Sequence, residues 1–194
     1  MYSLILDSTN VKLNVGLAKD NVLIDEISYE CWQKQSEMMI PEIKKILENN
    51  KVSPKEINEI LVTIGPGSYT GVRIALTIAK VYAYCLNIPC YFFSSLMVLE
   101  NYNKKSICVI NARSNRSYFG VYDKNKVLVS DTIKTNKEVI NYINDHQDYA
   151  ICGDTGYLNI DGENNSVSSN MILLKDNNHL VKDIMSLKAI YLKD

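Results

Sequence analysis

Few side chains in this sequence of 194 residues stand in a pattern that could do chemistry. One is Asp7, which closes the apolar run Leu4-Ile5-Leu6 and precedes Ser8-Thr9-Asn10. A carboxylate there can hold hydrated Mg²⁺ near ATP phosphates, or it can accept hydrogen bonds from its own turn. Another is the run Gly65-Pro66-Gly67-Ser68-Tyr69-Thr70-Gly71. Glycines permit positive φ and close backbone approach, and the N–H groups opening a following helix can receive an anion. Asp7, Gly65, Gly67, Ser68, Thr70 and Gly71 are therefore candidates for an anion or nucleotide loop. The same run also reads as a helix-capping turn with no ligand. Arg73 could pair with an anion in that loop, with an acidic residue of a partner, or within the chain.

Familiar catalytic patterns do not fit. A P-loop needs Gly-Lys followed by Ser or Thr, whereas Gly71 precedes Val72-Arg73. The spacing G-x-G-x-x-x-G is one residue too long for the dinucleotide fingerprint, and Ser68 has Pro66 where a nucleophile elbow needs glycine. His146 and His179 are far apart and have no second histidine or paired carboxylate at helical spacing, so neither a metal site nor a Ser-His-Asp triad is expected. His146, at a helix end, suits the dipole as a cation. Cys31, Cys85, Cys90, Cys108 and Cys152 form no C-x-x-C pair and read as incidental thiols. A net charge of −1 argues against autonomous nucleic-acid binding. With no signal-peptide pattern and no long apolar run, the expectation is a cytoplasmic protein with no membrane span.

The elements that position these residues follow from periodicity. Strands are expected at 2–6, 12–18 and 21–28, forming an antiparallel meander with its polar tip after the first strand. Met39, Ile43, Ile46 and Leu47 recur at helical spacing, giving a helix over 37–49 that either starts at Pro41 or contains it. Ser53-Pro54-Lys55-Glu56 is a capping box for a short helix. A buried strand over 60–64 enters the glycine loop, and the helix over 71–86 is apolar almost all round, which requires burial on more than one side. Polar residues around Asn101–Lys105 suggest a boundary, dividing the chain into 1–103 and 104–194. Beyond it come strands at 107–111, 118–122 and 127–133, a capped helix at 136–145, a strand at 149–152, a loop to 170 and a helix near 178–188. This order implies two related α/β lobes.

The string Gly65-Pro66-Gly67-Ser68-Tyr69-Thr70-Gly71-Val72-Arg73-Ile74, followed by an Ala/Ile-rich helix and Pro89, resembles the signature of the bacterial TsaB (YeaZ) family. Further similarities run in order. They are Leu4-Ile5-Leu6-Asp7-Ser8-Thr9, Gln35 to Pro41, Ser94-Ser95-Leu96, Ile110-Asn111-Ala112-Arg113 with Tyr118, Gly153-Asp154-Thr155-Gly156, and Ile190-Tyr191-Leu192-Lys193. The likeness is dense over 1–113 and thin over 120–185, where the sequence looks shorter than is usual. Gln35 replaces the family's histidine, and Asn111 its aspartate.

The resemblance implies a two-lobed actin/Hsp70/sugar-kinase-like (ribonuclease H-like) fold. It implies a non-catalytic subunit, with no cofactor, in the machinery that places threonylcarbamoyl on the adenosine beside a tRNA anticodon. The implied partners are a TsaD-like catalytic subunit and a TsaE-like ATPase, with tRNA met only through the complex and a homodimer open for the free chain. The apolar helix 71–86 and the Met39/Ile43/Ile46 face are either covered by the opposite lobe or form a partner surface, and the resemblance favours the second, making Met39, Ile43, Ile46, Val72, Arg73, Ile74, Ile78 and Tyr82 the expected partner interface. The competing reading is an ATP-dependent kinase or ATPase of the same superfamily, with phosphates at the glycine loop.

Overall fold

The computed structural model describes residues 1–31 and 33–192. Two sheets share one plan. In the first, β1 (Tyr2–Asp7), β2 (Lys12–Lys19) and β3 (Val22–Glu30) form the expected meander, and β4 (Ile57–Thr63) joins β1 in parallel. The short β5 (Cys90–Phe93) extends it, giving the order β3-β2-β1-β4-β5. In the second, β6 (Ser106–Arg113), β7 (Arg116–Asp123) and β8 (Lys126–Thr135) form another meander, and β9 (Ala150–Gly153) lies parallel to β6, in the order β8-β7-β6-β9. A meander plus a parallel strand, made twice, is the ribonuclease H-like arrangement.

Period-2 alternation assigns each strand face a different neighbour. Leu4 and Leu6 of β1, with Ile60 and Val62 of β4, face α1 (Gln35–Asn49) and α2 (Tyr69–Leu86). Ile5 and Leu61, in register, face the opposite way, onto α4 (Val167–Leu174) and the inner face of the second sheet, including Cys108, Ile110 and Tyr122. Ile107, Val109, Phe119 and Val121 point outward onto Val139 and Ile143 of α3 (Asn136–Asp145). Gly16 lets α4 come close, because a Cβ there would lie 2.5 Å from Ser168 Oγ. Lys175, which ends α4, pairs with buried Glu59 at 2.6 Å, and Asn170 Nδ2 donates to the Val98 and Glu100 carbonyls at 2.8 Å each.

The capping boxes at Ser53/Glu56 and Thr135/Glu138 form as expected. Other expectations need correction. Helix α1 starts at Gln35 and runs through Pro41, so the proline is not its first residue; its ring lies on the exposed face, where solvent can serve the Glu37 carbonyl that loses its bond. No helix spans 178–188. Asn177–His179 is a single 3₁₀ turn held by the Asp176 side chain, and the chain beyond bonds to the first lobe, with Val181 N–H donating to the Cys90 carbonyl and Ile190 N–H to the Ile64 carbonyl. The expected loop to 170 instead contains the start of α4, capped by Ser166. Both β5 and α4 are too short for periodicity to reveal. Finally, α2 is buried on one side only; Tyr69, Val81, Tyr84 and Cys85 stay exposed.

Candidate functional site

Glycine placement follows from how the loop meets the β1–β2 turn. Ser68 N–H donates to the Thr9 carbonyl at 2.7 Å, and Ser8 Oγ donates to the Gly71 carbonyl at 2.7 Å. A Cβ on Gly67 would lie 2.1 Å from the Thr9 carbonyl oxygen, and one on Gly71 would lie 1.9 Å from that of Ser8. Gly65 has φ +105° and exchanges hydrogen bonds with Ser95. Ser68 caps α2 by accepting from Gly71 N–H at 3.3 Å, while Thr70 lies exposed in the first turn.

Asp7 is equally committed. Its Oδ1 accepts from Thr9 N–H at 3.1 Å and from the hydroxyls of Thr9 and Thr63, each at 2.6 Å; its Oδ2 accepts from Asn14 Nδ2 at 2.8 Å. The residue is 1% exposed. These contacts organise the strand tips, and both oxygens are engaged within the first sheet.

The outer side of α1 and α2 is different. Met39, Ile43, Ile46 and Val72, expected at an interface, lie in the core under the helices, because the period-3.6 stripe they form is the one the sheet covers. The surface is made by their neighbours. A groove of about 500 Å³ runs between the helices, lined by Ile40, Tyr69, Thr70, Arg73, Ile74 and Ile78 among others. It continues past Tyr82 into a second hollow of about 330 Å³. Ile40 is 53% exposed, Tyr69 58%, Val81 55% and Tyr84 67%, so this face leaves much apolar surface in water. Arg73 sits over the Tyr69 ring, 4.2 Å from its centre. The structure thus brings Arg73, Ile74, Ile78 and Tyr82 together at the surface; Ile40 and Tyr69 are the groove residues that were missed. Ile40 fell outside the buried stripe, and exposure at that position was the available signal.

A second concavity lies between the sheets. It holds about 390 Å³ and is lined by Asn10, Ser68, Tyr118, Arg113 and Asp154, among others. Burial pushes the Asp154 carboxyl above its usual range, against the opposing pull of the Asn111 backbone N–H and the Arg113 charge. Asn111, Arg113, Tyr118 and Asp154 were visible in the sequence only as family-like motifs. Both histidines stack on aromatic rings, His146 on Tyr142 at the end of α3 and His179 on Phe93. Among the described residues, no three His, Cys, Asp or Glu side chains converge as metal ligands.

Known proteins share this chain's sequence pattern and its fold. Residues 30–150, more than half of the chain, fit the family model described as TsaD: tRNA N6-adenosine threonylcarbamoyltransferase. The tRNA threonylcarbamoyladenosine biosynthesis protein TsaB of Buchnera aphidicola (subsp. Schizaphis graminum) is 33% identical over 73% of this chain and 70% of its own length. The chain belongs to the TsaB family. The TsaB of Bacillus subtilis is 30% identical, over 69% of this chain and 60% of its own length. YeaZ from Pseudomonas aeruginosa superposes with a TM-score of 0.82 at 20% identity, covering 98% of this chain and 99% of that one, which shows the common fold. That fold is the two-lobed actin/Hsp70/sugar-kinase-like one. As a TsaB-family chain, it carries its signature loop at the seam between the first strand tips and α2, where the loop's glycines are required by packing.

Proposed function

We propose that this chain is the non-catalytic partner subunit of a TsaD-like transferase, within the complex that moves a threonylcarbamoyl group onto the adenosine beside a tRNA anticodon. The observation that carries the reading is the open apolar groove between α1 and α2, in a member of the TsaB family. An isolated lobe gains nothing from leaving Ile40 and Tyr69 exposed beside the half-buried Ile74 and Ile78; a partner helix laid on them would bury the area still in water at roughly 25 cal/mol per Å². The lobe 1–103 presents the groove, and α4 with the inner face of the second sheet braces its sheet from behind. Assembly with a TsaE-like ATPase, and tRNA contact through the complex alone, suit a chain with net charge −1. The setting is cytoplasmic; among the described residues no helix is long and apolar enough to cross a membrane.

No observation favours the kinase or ATPase reading, since Asp7 spends both oxygens on Thr9, Thr63 and Asn14. The test is to mix the purified chain with the TsaD-like subunit of the same genome. Co-elution, with a gain in modified adenosine on tRNA, is expected. Separate elution with no gain on mixing would sink the proposal. A homodimer through the same groove, seen when the chain is alone, would compete with the heterodimer on titration.

A further inference from the structure

The C-terminal segment returns to the first lobe and ends against the signature loop. Leu180 bridges Tyr91 on the open edge of β5, and Val181, Ile184, Leu187 and Ala189 pack against the core beneath α1 and α2. Lys80 Nζ of α2 donates to the Met185 carbonyl at 3.2 Å. Ile190 N–H donates to the Ile64 carbonyl at 2.7 Å, and a Cβ on Gly65 would lie 2.5 Å from the Ile190 carbonyl oxygen. The next residue, Tyr191, lies against Tyr69 with ring centres 5.1 Å apart. Tyr69 in turn carries Arg73, and both line the α1/α2 groove. Lys193, the basic end of the C-terminal motif, lies outside the described residues.

We infer that this segment is a strap that presets the groove, with Tyr191 as a positioning residue that acts through Tyr69 and, beyond it, Arg73. The inference rests on the groove being the partner surface. Tyr69 is more than half exposed at the first turn of α2, where its contact within the helix is the mobile Arg73 side chain. A ring contact from Tyr191 restricts it, and the cation–π contact passes that restriction on to Arg73, a side chain with much rotamer freedom. A partner then meets an edge already ordered, instead of ordering it on binding. Two motifs more than a hundred residues apart, Tyr69 to Arg73 and Ile190 to Leu192, thereby form one physical unit.

The experiment measures affinity of the full chain for the purified TsaD-like subunit in Tyr191→Ala, Tyr191→Phe, Tyr69→Ala and the Tyr69/Tyr191 double variant, with Ile78→Glu alongside. Tyr191→Ala should weaken pairing by about three- to tenfold, Tyr191→Phe should restore it, and the double variant should be no weaker than Tyr69→Ala alone. Additive losses would mean that Tyr191 touches the partner itself, and would overturn the positioning role. So would unchanged affinity in Tyr191→Ala while Ile78→Glu abolishes pairing. If Ile78→Glu pairs normally, the groove reading itself falls, and the strap inference with it. The cycle compares Tyr69→Ala with the double variant, so it stays decisive even if Tyr191→Ala lowers the melting temperature.

Discussion

The two sheets are built alike and finished differently. Each is a meander with a parallel strand beside its first member, and each places a helix, α1 or α3, between the third and fourth strands. After the fourth strand they part. The first lobe adds α2 and returns to its own sheet through β5. The second sends α4 across to the first sheet, where it packs beside Gly16 and pins Lys175 to Glu59. The second lobe is thus left with one outer helix, whose apolar residues Val139 and Ile143 are covered. The first has two outer helices, one buried stripe beneath them and a second apolar stripe in water. What the difference teaches is where the partner surface belongs: on the lobe with more apolar helix surface than its own sheet can cover.

That contrast can be broken in four ways. The largest effect is expected at the loops. Gly71→Ala drives a Cβ into the Ser8 carbonyl and must separate the loop from the β1–β2 turn, at about 4 kcal/mol, or a melting temperature lower by about 10 °C. Gly156→Ala, in the loop after β9, meets nothing within 4 Å and should melt as the parent does, whereas Gly153, with φ +101° and a Cβ position 2.4 Å from the Val109 carbonyl oxygen, should not tolerate alanine. Equal losses for Gly71→Ala and Gly156→Ala in a thermal scan would show that backbone contact does not set the cost.

Next comes the brace between the lobes. Lys175→Met leaves Glu59 buried with Ser3 as its remaining side-chain partner among the described residues, and should cost about 3 kcal/mol in urea unfolding. If the denaturation midpoint does not move, α4 is not held by this pair.

The surfaces follow. Ile78→Glu should weaken pairing with the TsaD-like subunit about 100-fold, because a carboxylate would be desolvated in the groove, while the chain still melts cooperatively, some degrees below the parent because Ile78 is half-buried against the first-lobe core. Asn141→Glu, on the exposed side of α3, should leave pairing unchanged. A loss of pairing in the second variant would place the partner on the wrong lobe.

The smallest effect concerns Glu100, fully buried behind the second sheet, whose Oε2 has no hydrogen-bond partner among the described residues. Burial raises its carboxyl above the usual range, with backbone N–H groups of Asn125 and Lys124 opposing. A raised folded-state value means that the folded chain holds its proton longer than the unfolded chain. Stability therefore falls as pH rises through the window above the ordinary Glu value of about 4.3. Glu100→Gln should be more stable than the parent at neutral pH, with the gap closing as pH falls toward about 4. A gap that widens on acidification would reverse the sign and refute the assignment.

The meanders, α3 with its capping box, and the strand–loop–helix at Gly65–Gly71 were all legible in the sequence, because each rests on local signals. The helix expected near 178–188 was not realised: Val181 N–H donates to the Cys90 carbonyl of the first sheet, and His179 and Ser186 N–H close local turns on the Asp176 and Asp183 carbonyls. At the candidate site, reading periodicity alone picked out Met39, Ile43, Ile46 and Val72, the stripe that the sheet buries. A hydrophobic stripe marks what must be covered without saying by what. The amphipathic pattern of α1 could not distinguish its own sheet from a foreign helix.

By itself, the sequence determined the two meanders, α1 to α3, the family-like motifs and the lack of a standard nucleotide loop. Residues within a few positions of one another carry all of these. Only the tertiary structure decided that the glycines serve close backbone contact, that Asp7 is engaged on both oxygens, and that Tyr191 meets Tyr69 beside an open groove. Thr9 and Asn14 reach Asp7 locally, but Thr63 on Asp7, Gly71 against Ser8 and Tyr191 on Tyr69 are contacts between segments dozens of residues or more apart, which packing brings together and local pattern cannot record.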